Sequence, residues 1–128
     1  IFSNNVAMVE TKAGGKVAQF PLDEHNNYDG NPYGIAICPE GKYVYIGVRG
    51  MHRVTILDLG NMTQIIQASS QEELDEMKDD LTVMVDYLVK RVNVGLGPSS
   101  VALSPDGKIC YVANYFSNNV SVIRTPLD

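Results

Sequence analysis

Apolar and polar residues alternate along short stretches of the chain, and turn signals rich in Gly, Pro or Asn separate these stretches. Residues 33–38 form an apolar run, and residues 43–48 and 54–58 carry the alternating β-branched side chains that are typical of half-buried strands. A shorter stretch at 64–67 predicts a fourth strand. Between the first two strands, Pro39-Glu40-Gly41-Lys42 predicts a tight reversal. The pattern therefore predicts one antiparallel four-stranded sheet.

The same pattern occurs three times. The segments IFSNNVAMVETKAGGKVAQ, RGMHRVTILDLGNMTQIIQ and YFSNNVSVIRT are versions of one another. Aligning Phe2 with Gly50 and Gly50 with Phe116 gives offsets of 48 and 66 residues, so the second unit carries 18 extra residues. A repeat of about 40 to 50 residues with several short strands is the signature of a β-propeller blade. We therefore predict an all-β fold of β-propeller blades.

The third copy carries the clearest family signature, GPSSVALSPDGKICYVANYFSNNVSVIRT. It resembles the propeller repeats named for a Tyr-Val-Thr-Asn motif. The second copy, NPYGIAICPEGKYVYIGVRGMHRVTILDL, departs from the family at Gly47-Val48 and at Met51-His52. The resemblance implies an exported, periplasmic or surface-layer propeller, related to lactonase-like and haem d1 nitrite reductase-like propellers. It covers nearly the whole chain outside the extra residues, and it constrains fold more than function.

This interpretation divides the chain into blade segments 1–30, 31–68 and 97–128 and an insertion at 69–95. It gives about two four-stranded antiparallel blades and one inserted α-helix, where a closed ring of this type needs four to eight blades. We expect a fragment of a longer propeller, with about seven blades in the whole. The alternative is that several copies associate to close the ring. In either case the predicted partners are the remaining blades or other proteins, and we expect an oligomer or a complex.

The insertion predicts a helix between Ser69 and Asn93. Ser70 and Glu73 have the spacing of a capping box, and acidic residues fill the first half while Lys90-Arg91 lies in the last turn. An apolar stripe steps by three and four residues. It consists of Leu74, Met77, Leu81, Met84 and Leu88. The stripe either packs against the propeller itself or docks a partner subunit.

Charge and composition exclude several classes of function. The net charge is −5 and the pI is near 4.9, with no basic stripe, so we expect no nucleic-acid partner. No apolar run is long enough for a membrane helix, and no signal peptide is visible. Cys38 and Cys110 lack the spacing of a haem-attachment motif or a zinc site. We expect no metal site or cofactor in this segment, and a haem would lie in a larger protein or a partner.

Candidate chemistry collects on one face of the predicted blades. In a four-stranded blade, the loop between strands two and three and the connection to the next blade emerge on the same side, where propellers commonly bind ligands. This face would hold His25, Arg49, His52, Arg53 and Tyr115. A histidine supplies a metal or haem ligand or a general base, and an arginine clamps an anion. Each of these residues also has a plain interpretation as a solvated loop residue.

No nucleophile elbow, phosphate loop or paired catalytic carboxylates can be found in the sequence. The first functional hypothesis is therefore a scaffold or interaction module of an exported or periplasmic protein. The second is a segment of a propeller enzyme. That enzyme would be either a haem- or quinone-linked oxidoreductase or a lactonase-like hydrolase, with His25, Arg49 and His52 on its active face.

Overall fold

The computed structural model describes residues 5–12, 14–22, 30–78 and 80–124. The elements in chain order are β1 (Asn5–Val9), β2 (Val17–Pro21), β3 (Pro32–Ile37), β4 (Tyr43–Val48), β5 (Arg53–Asp58), α1 (Leu59–Ala68), α2 (Gln71–Met77), β6 (Leu88–Asn93), β7 (Pro98–Leu103), β8 (Ile109–Asn114) and β9 (Asn119–Arg124). Two short 3₁₀ segments, Arg49–Met51 and Leu81–Asp86, complete the elements of these described ranges.

The strands form three antiparallel sheets in which chain neighbours are sheet neighbours. The first sheet is β1-β2, the second is β3-β4-β5-β6 and the third is β7-β8-β9. The innermost strands of the second and third sheets, β3 and β7, lie side by side. At Gly34 of β3 an added Cβ would lie 3.1 Å from the backbone of Ser100, so the small residue allows this close approach. The predicted all-β blade fold is confirmed.

The two reversals that join the first pair of strands in each complete copy are built alike. Gly41 and Gly107 have φ of 72° and 73°, as the turn prediction requires. Ser104 Oγ accepts the backbone N–H of Ile109 at 3.0 Å, and Cys38 Sγ accepts the backbone N–H of Lys42 at 3.2 Å. Cys38 therefore stands in the repeat where the third copy has a serine, and its thiol completes a turn.

The predicted fourth strand at 64–67 is wrong, because these residues lie in helix α1. Asp58 caps that helix by accepting the N–H of Asn61 at 2.9 Å, and Met62 and Ile66 face the interior four residues apart. The fourth strand of the second sheet is β6, whose residues pair with β5. The insertion thus lies between the third and fourth strands, at 59–87, and not after the fourth strand.

The single long helix predicted between Ser69 and Asn93 is also wrong. The predicted capping box is present, with Ser70 Oγ accepting the N–H of Glu73 at 3.1 Å and Glu73 Oε1 accepting that of Ser70 at 2.9 Å. The helix that it starts, α2, ends at Met77. Asp80 then caps a 3₁₀ segment by accepting the N–H of Thr82 at 3.0 Å. The β-branched residues that follow favour this tighter turn and the strand beyond it over a continued helix.

Two cores fill the spaces between the sheets. The core between the second and third sheets contains Tyr45, Val54, Ile56, Cys110, Val112 and Ile123. The other lies between the first and second sheets, and the insertion closes it. Burial raises the pKa of the Cys110 thiol to about 11, so it packs as a neutral apolar group. Both cysteines are free.

The apolar stripe of the insertion belongs to the core between the first and second sheets. Its members are Leu74, Met77 and Met84, all buried, and Leu81 and Leu88, which are partly buried and pack against them. They lie on α2, the second 3₁₀ segment and β6. A role in docking a partner stays a prediction, and the burial of the stripe argues against it.

Tyr87 closes this core. Its hydroxyl donates to the carbonyl of Pro21 at 2.6 Å, and its ring meets that of Phe20 edge to face with centroids 5.1 Å apart. Burial raises the pKa of the Tyr87 hydroxyl well above its ordinary value, so it acts as a donor. Arg91 adds a second link by donating to the carbonyl of Leu22 at 2.9 Å. The end of the insertion is thereby tied to β2 and the residue after it.

Candidate functional site

Four connecting segments meet at one end of the sheets, and we call this end the loop face. They are residues 30–31, 49–52, 94–97 and 115–118. Backbone hydrogen bonds join them in pairs. Arg49 N donates to Asn31 O at 3.0 Å, Val94 N to His52 O at 3.1 Å and Tyr115 N to Gly97 O at 2.9 Å. These bonds hold the loops of the second and third sheets together.

The structure brings four of the five predicted site residues to this end. Arg49 and His52 lie in the segment between β4 and β5, Arg53 is the first residue of β5, and Tyr115 follows β8. His25 lies outside the described residues. The expectation that His25 and His52 share one rim therefore stays a prediction.

His52 is fixed by its backbone and by its ring. It occupies the left-handed region at φ 55° and ψ 45°, and its Nδ1 accepts the backbone N–H of Gly97 at 3.0 Å. A neutral imidazole that accepts at Nδ1 carries its proton on Nε2. In this arrangement Nε2 can donate a hydrogen bond, but neither nitrogen has a lone pair free for a metal ion or for a substrate proton. The geometry makes His52 a link between two loops, and its role as a ligand or general base stays a prediction.

Arg49 lies among aromatic rings. Its guanidinium carbon is 5.1 Å from the ring centroid of Tyr33, 5.6 Å from that of Tyr115 and 5.0 Å from that of Phe116. Each distance is within the range of a cation–π interaction. Tyr115 and Phe116 also meet edge to face with centroids 5.4 Å apart. Arg49 thus connects the start of β3 to the loop of the third sheet.

Arg53 and Tyr115 have different surroundings. Arg53 is half-buried and pairs with Val48 on one side and Asn93 on the other. Tyr115 is 69% exposed. Both predicted anion clamps, Arg49 and Arg53, are half-buried, and Arg49 is the one that lies among exposed rings.

Sequence reasoning missed Tyr33 and Phe116. Tyr33 begins the predicted inner strand, where an aromatic residue has an ordinary packing role. Phe116 had a usable signal, because the repeat aligns it with Phe2 of the first copy, at a position that the sequence pattern predicts to be a loop. A large apolar residue that recurs in a loop has no strand to pack into, so it indicates a surface contact.

Asn114 anchors the loop of the third sheet from below. It is 2% exposed, and its Nδ2 donates to Asn119 Oδ1 at 3.0 Å and to Ser121 Oγ at 2.8 Å. Ser121 Oγ in turn accepts the N–H of Gly95 at 3.2 Å. The Asn-rich signature of the repeat thus fixes a turn, which is the plain interpretation of these residues.

Within residues 5–12, 14–22, 30–78 and 80–124, no three His, Cys, Asp or Glu side chains are grouped so that they could hold a metal ion. Over the same described part of the chain, no helix combines the length and the apolar character needed to cross a membrane.

The meander sheets and the side-by-side inner strands define a propeller-type fold. No protein-family model matches the chain, so its likeness to the Tyr-Val-Thr-Asn repeats stays a resemblance. The chain is 68% identical over all 128 residues to the hydrazine synthase subunit beta of Kuenenia stuttgartiensis. It spans 33% of that protein's length, which is about a third.

Solved structures give the same picture. The Kuenenia stuttgartiensis hydrazine synthase superposes with a TM-score of 0.93 at 68% identity, over 98% of this chain and 36% of that one. A Bacteroides fragilis protein assigned as a 6-phosphogluconolactonase follows at a TM-score of 0.64 and 19% identity, over 98% of this chain and 30% of that one. The dihydro-haem d1 dehydrogenase NirN has a TM-score of 0.53 at 21% identity, over 94% of this chain and 22% of that one. At these identities the last two show the fold alone.

Proposed function

We propose that the chain is one portion of a propeller subunit in a hydrazine-forming synthase, where it serves as a scaffold and interaction module. The observation that carries the proposal is the 68% identity along the entire chain to the beta subunit of such a synthase. A TM-score of 0.93 to a hydrazine synthase structure supports it, because the sheets, the insertion and the loop face then have the same arrangement.

Two open sheet faces support a place within a longer propeller. On β3, Tyr33, Ile35 and Ile37 are each more than half exposed, on the face that the two strands of the first sheet leave uncovered. On β9, Val120 and Val122 are exposed on the face turned away from the second sheet. Apolar rows of this kind are covered by the neighbouring blade in a propeller. The matched relative is about three times as long, which gives enough chain for those blades.

The loop face supports a scaffolding role over a catalytic one. The ring of His52 is engaged at Nδ1 by Gly97, and Arg49 lies among three aromatic rings. Among the described residues these groups serve to join loops. We therefore place the chemistry, and any haem, in other parts of the assembly.

The alternative is a propeller enzyme with its active site on this face, either a haem- or quinone-linked oxidoreductase or a lactonase-like hydrolase. The likeness to lactonase-type and dehydrogenase-type propellers is at 19% and 21% identity and brings no matching site residue to this chain. The proposed place in a synthase complex favours the redox enzyme over the hydrolase.

Export from the cytoplasm is part of the proposal. Its support is the likeness of the third copy to the repeats of exported and periplasmic propellers. Cell fractionation and amino-terminal sequencing of the full-length protein test it. Recovery in the periplasmic or extracellular fraction with a processed terminus is expected, and an unprocessed cytoplasmic protein would contradict it.

The functional test compares the full-length subunit alone with the complete assembly. We expect hydrazine formation only in the complete assembly, and a Soret band in the assembly that the purified subunit lacks. Loss of assembly when the subunit is omitted would support the scaffold. Turnover or haem absorbance in the isolated subunit would instead establish the enzyme alternative.

A further inference from the structure

One ring nitrogen helps to hold two connecting segments of the loop face together. His52 Nδ1 accepts the backbone N–H of Gly97 at 3.0 Å, and the His52 carbonyl accepts that of Val94 at 3.1 Å. The segment 94–97, which leads from β6 to β7, is therefore attached to His52 at both of its ends. The attachment at Gly97 passes through a nitrogen that can take up a proton, whereas the attachment at Val94 passes through a carbonyl.

The loop of the third sheet is bound to the same segment. Tyr115 N donates to the carbonyl of Gly97 at 2.9 Å, and Phe116 N donates to that of Leu96 at 3.1 Å. Gly97 also lies against the ring of Phe116, since an added Cβ would collide with Phe116 Cδ2. That ring is 5.0 Å from the guanidinium carbon of Arg49. The position of this segment therefore determines where the loop of the third sheet lies.

Protonation of the imidazole removes the acceptor from the bond to Gly97. A neutral imidazole has one N–H and one nitrogen that accepts, whereas an imidazolium has two N–H donors and no acceptor. In the protonated ring, Nδ1–H would face the N–H of Gly97, and two donors repel each other. Histidine is the side chain whose charge ordinarily changes between about pH 5 and 8. His52 is half-buried, so solvent reaches the loop that carries it.

Neighbouring charges shift the pH at which an imidazole takes up its proton, but they do not change what protonation does to the bond. Within two residues of the loop face, the described residues with other ionisable side chains are Tyr33, Arg49, Arg53 and Tyr115. The segment 23–29, which lies outside the described residues, contains Asp23, Glu24, His25 and Asp29. Whatever these groups contribute, an imidazolium has no lone pair with which to accept the Gly97 N–H.

We propose that His52 is a pH-sensitive switch that controls how the loops of the second and third sheets are joined. While the ring is neutral, Gly97 is bound to it and the segment 94–97 is held in the observed position. As the pH falls and Nδ1 takes up a proton, this hydrogen bond breaks, and Val94 remains as the attachment to His52. The loop face, and any molecule that binds there, thereby responds to pH. This switch does not depend on the proposed function.

Hydrogen exchange of the Gly97 amide tests the switch in the full-length subunit. Exchange is measured at about pH 8 and about pH 5, and comparison with the intrinsic rate at each pH gives a protection factor. The protection factor of Gly97 is expected to be at least about fivefold smaller at the lower pH, because one hydrogen bond is lost. The Gly41 amide is the internal reference, since it donates to the carbonyl of Cys38 at 2.9 Å, which does not titrate. Its protection factor is expected to change by less than about twofold.

Two substitutions assign the response to one ring. Asparagine tolerates the left-handed backbone of His52 but takes up no proton in this pH range, so His52→Asn is expected to abolish the response of Gly97. His25→Asn removes the other histidine of the chain and is the matched control, which should keep the response. Unfolding curves at both pH values check that each variant is folded.

Any of three results would overturn the switch. The first is a protection factor of Gly97 in the wild type that is the same at both pH values. The second is a response that persists in His52→Asn or that His25→Asn abolishes. The third is an equal decrease at Gly41, which would show a general loosening of the fold. The experiment uses the subunit alone, so none of these results affects the proposed place in a synthase.

Discussion

The side-chain amide of Gln71 hydrogen-bonds both backbone groups of Val17, as a neighbouring strand would. Its Oε1 accepts the Val17 N–H at 3.0 Å, and its Nε2 donates to the Val17 carbonyl at 2.8 Å. The first residue of α2 therefore covers part of the free edge of β2. Edges of this kind otherwise invite pairing with another chain. The insertion thus joins the first sheet to the second.

Replacing Gln71 tests this edge contact. We expect Gln71→Ala to lower the free energy of unfolding of the full-length subunit by about 1 kcal/mol, because the two hydrogen bonds to Val17 and the one to Asp75 Oδ1 are lost at an exposed site. Denaturant unfolding measures the change. Gln67→Ala is the control, since Gln67 is exposed on α1 and, among the described residues, its side chain forms no hydrogen bond, while its backbone carbonyl accepts from Lys16. Equal effects of the two substitutions would contradict the edge role of Gln71.

The sequence predicts the blades well because their signals are local. Strand alternation and the glycines of the two reversals each operate over a few residues, the internal repeat presents these signals again in each copy, and the structure confirms the sheets that they imply. The helix prediction for the insertion was wrong because its outcome depends on a contact distant in the chain. Leu88 and Val92 fit a helical stripe as well as a strand, and only the free edge of β5 decides between them.

In the candidate site, the placement of the residues could be predicted from the sequence, but their contacts could not. Arg49, His52 and Tyr115 could be placed on one face because blade topology fixes where the loops emerge. The hydrogen bond from Gly97 to His52 links residues 45 positions apart, and two of the rings around Arg49, those of Tyr115 and Phe116, lie 66 and 67 positions along the chain from it. No local pattern encodes such contacts, so their chemistry could not be predicted from the sequence.

The capping box predicts a pH dependence. The pKa of Glu73 lies below its ordinary value of 4.5, first because it accepts the backbone N–H of Ser70 and second because of the Ser70 hydroxyl. A depressed folded-state pKa means that the ionised carboxylate stabilises the fold. This contribution is fully present above about pH 4.5 and is lost as the pH falls through the lowered pKa.

Comparing the wild type with Glu73→Gln measures this contribution. Glutamine keeps a neutral acceptor, so the difference in unfolding midpoint between the wild type and Glu73→Gln measures the contribution of the carboxylate charge. We expect a gap at neutral pH that narrows as the pH falls below about 4.5. Glu72→Gln removes a charge from the same turn and is the control. A gap for Glu73→Gln that stays constant with pH would show that its charge does not stabilise the helix.

His52 is predicted to act through its ring nitrogen and its backbone conformation. His52→Ala removes the acceptor for Gly97 N–H and places alanine in the left-handed region, so we expect a loss of about 1 to 2 kcal/mol in unfolding free energy. His52→Asn tolerates that backbone region and should lose less. Nitrogen NMR of the neutral ring should show the proton on Nε2. A proton on Nδ1 would contradict the link to Gly97.

Gly97 controls the position of the Phe116 ring. It has φ of 69°, and a Cβ at this position would collide with Phe116 Cδ2, whereas a Cβ on Gly41, at φ 72°, would meet nothing within 4 Å. Gly41→Ala therefore incurs the backbone strain of a positive φ, about 1 kcal/mol, and Gly97→Ala incurs this strain and the collision.

We expect Gly97→Ala to lower the unfolding free energy more than Gly41→Ala, and to displace Phe116 from Arg49. The double substitution Gly97→Ala/Phe116→Ala should relieve the collision but keep the backbone strain. Its unfolding free energy should therefore lie below that of Phe116→Ala alone by about as much as Gly41→Ala lowers that of the wild type. Denaturant unfolding of the five proteins gives these differences. Equal costs of Gly97→Ala and Gly41→Ala would show that the Phe116 ring moves aside freely, and Arg49 would then lack a rigid ring at this side of its guanidinium.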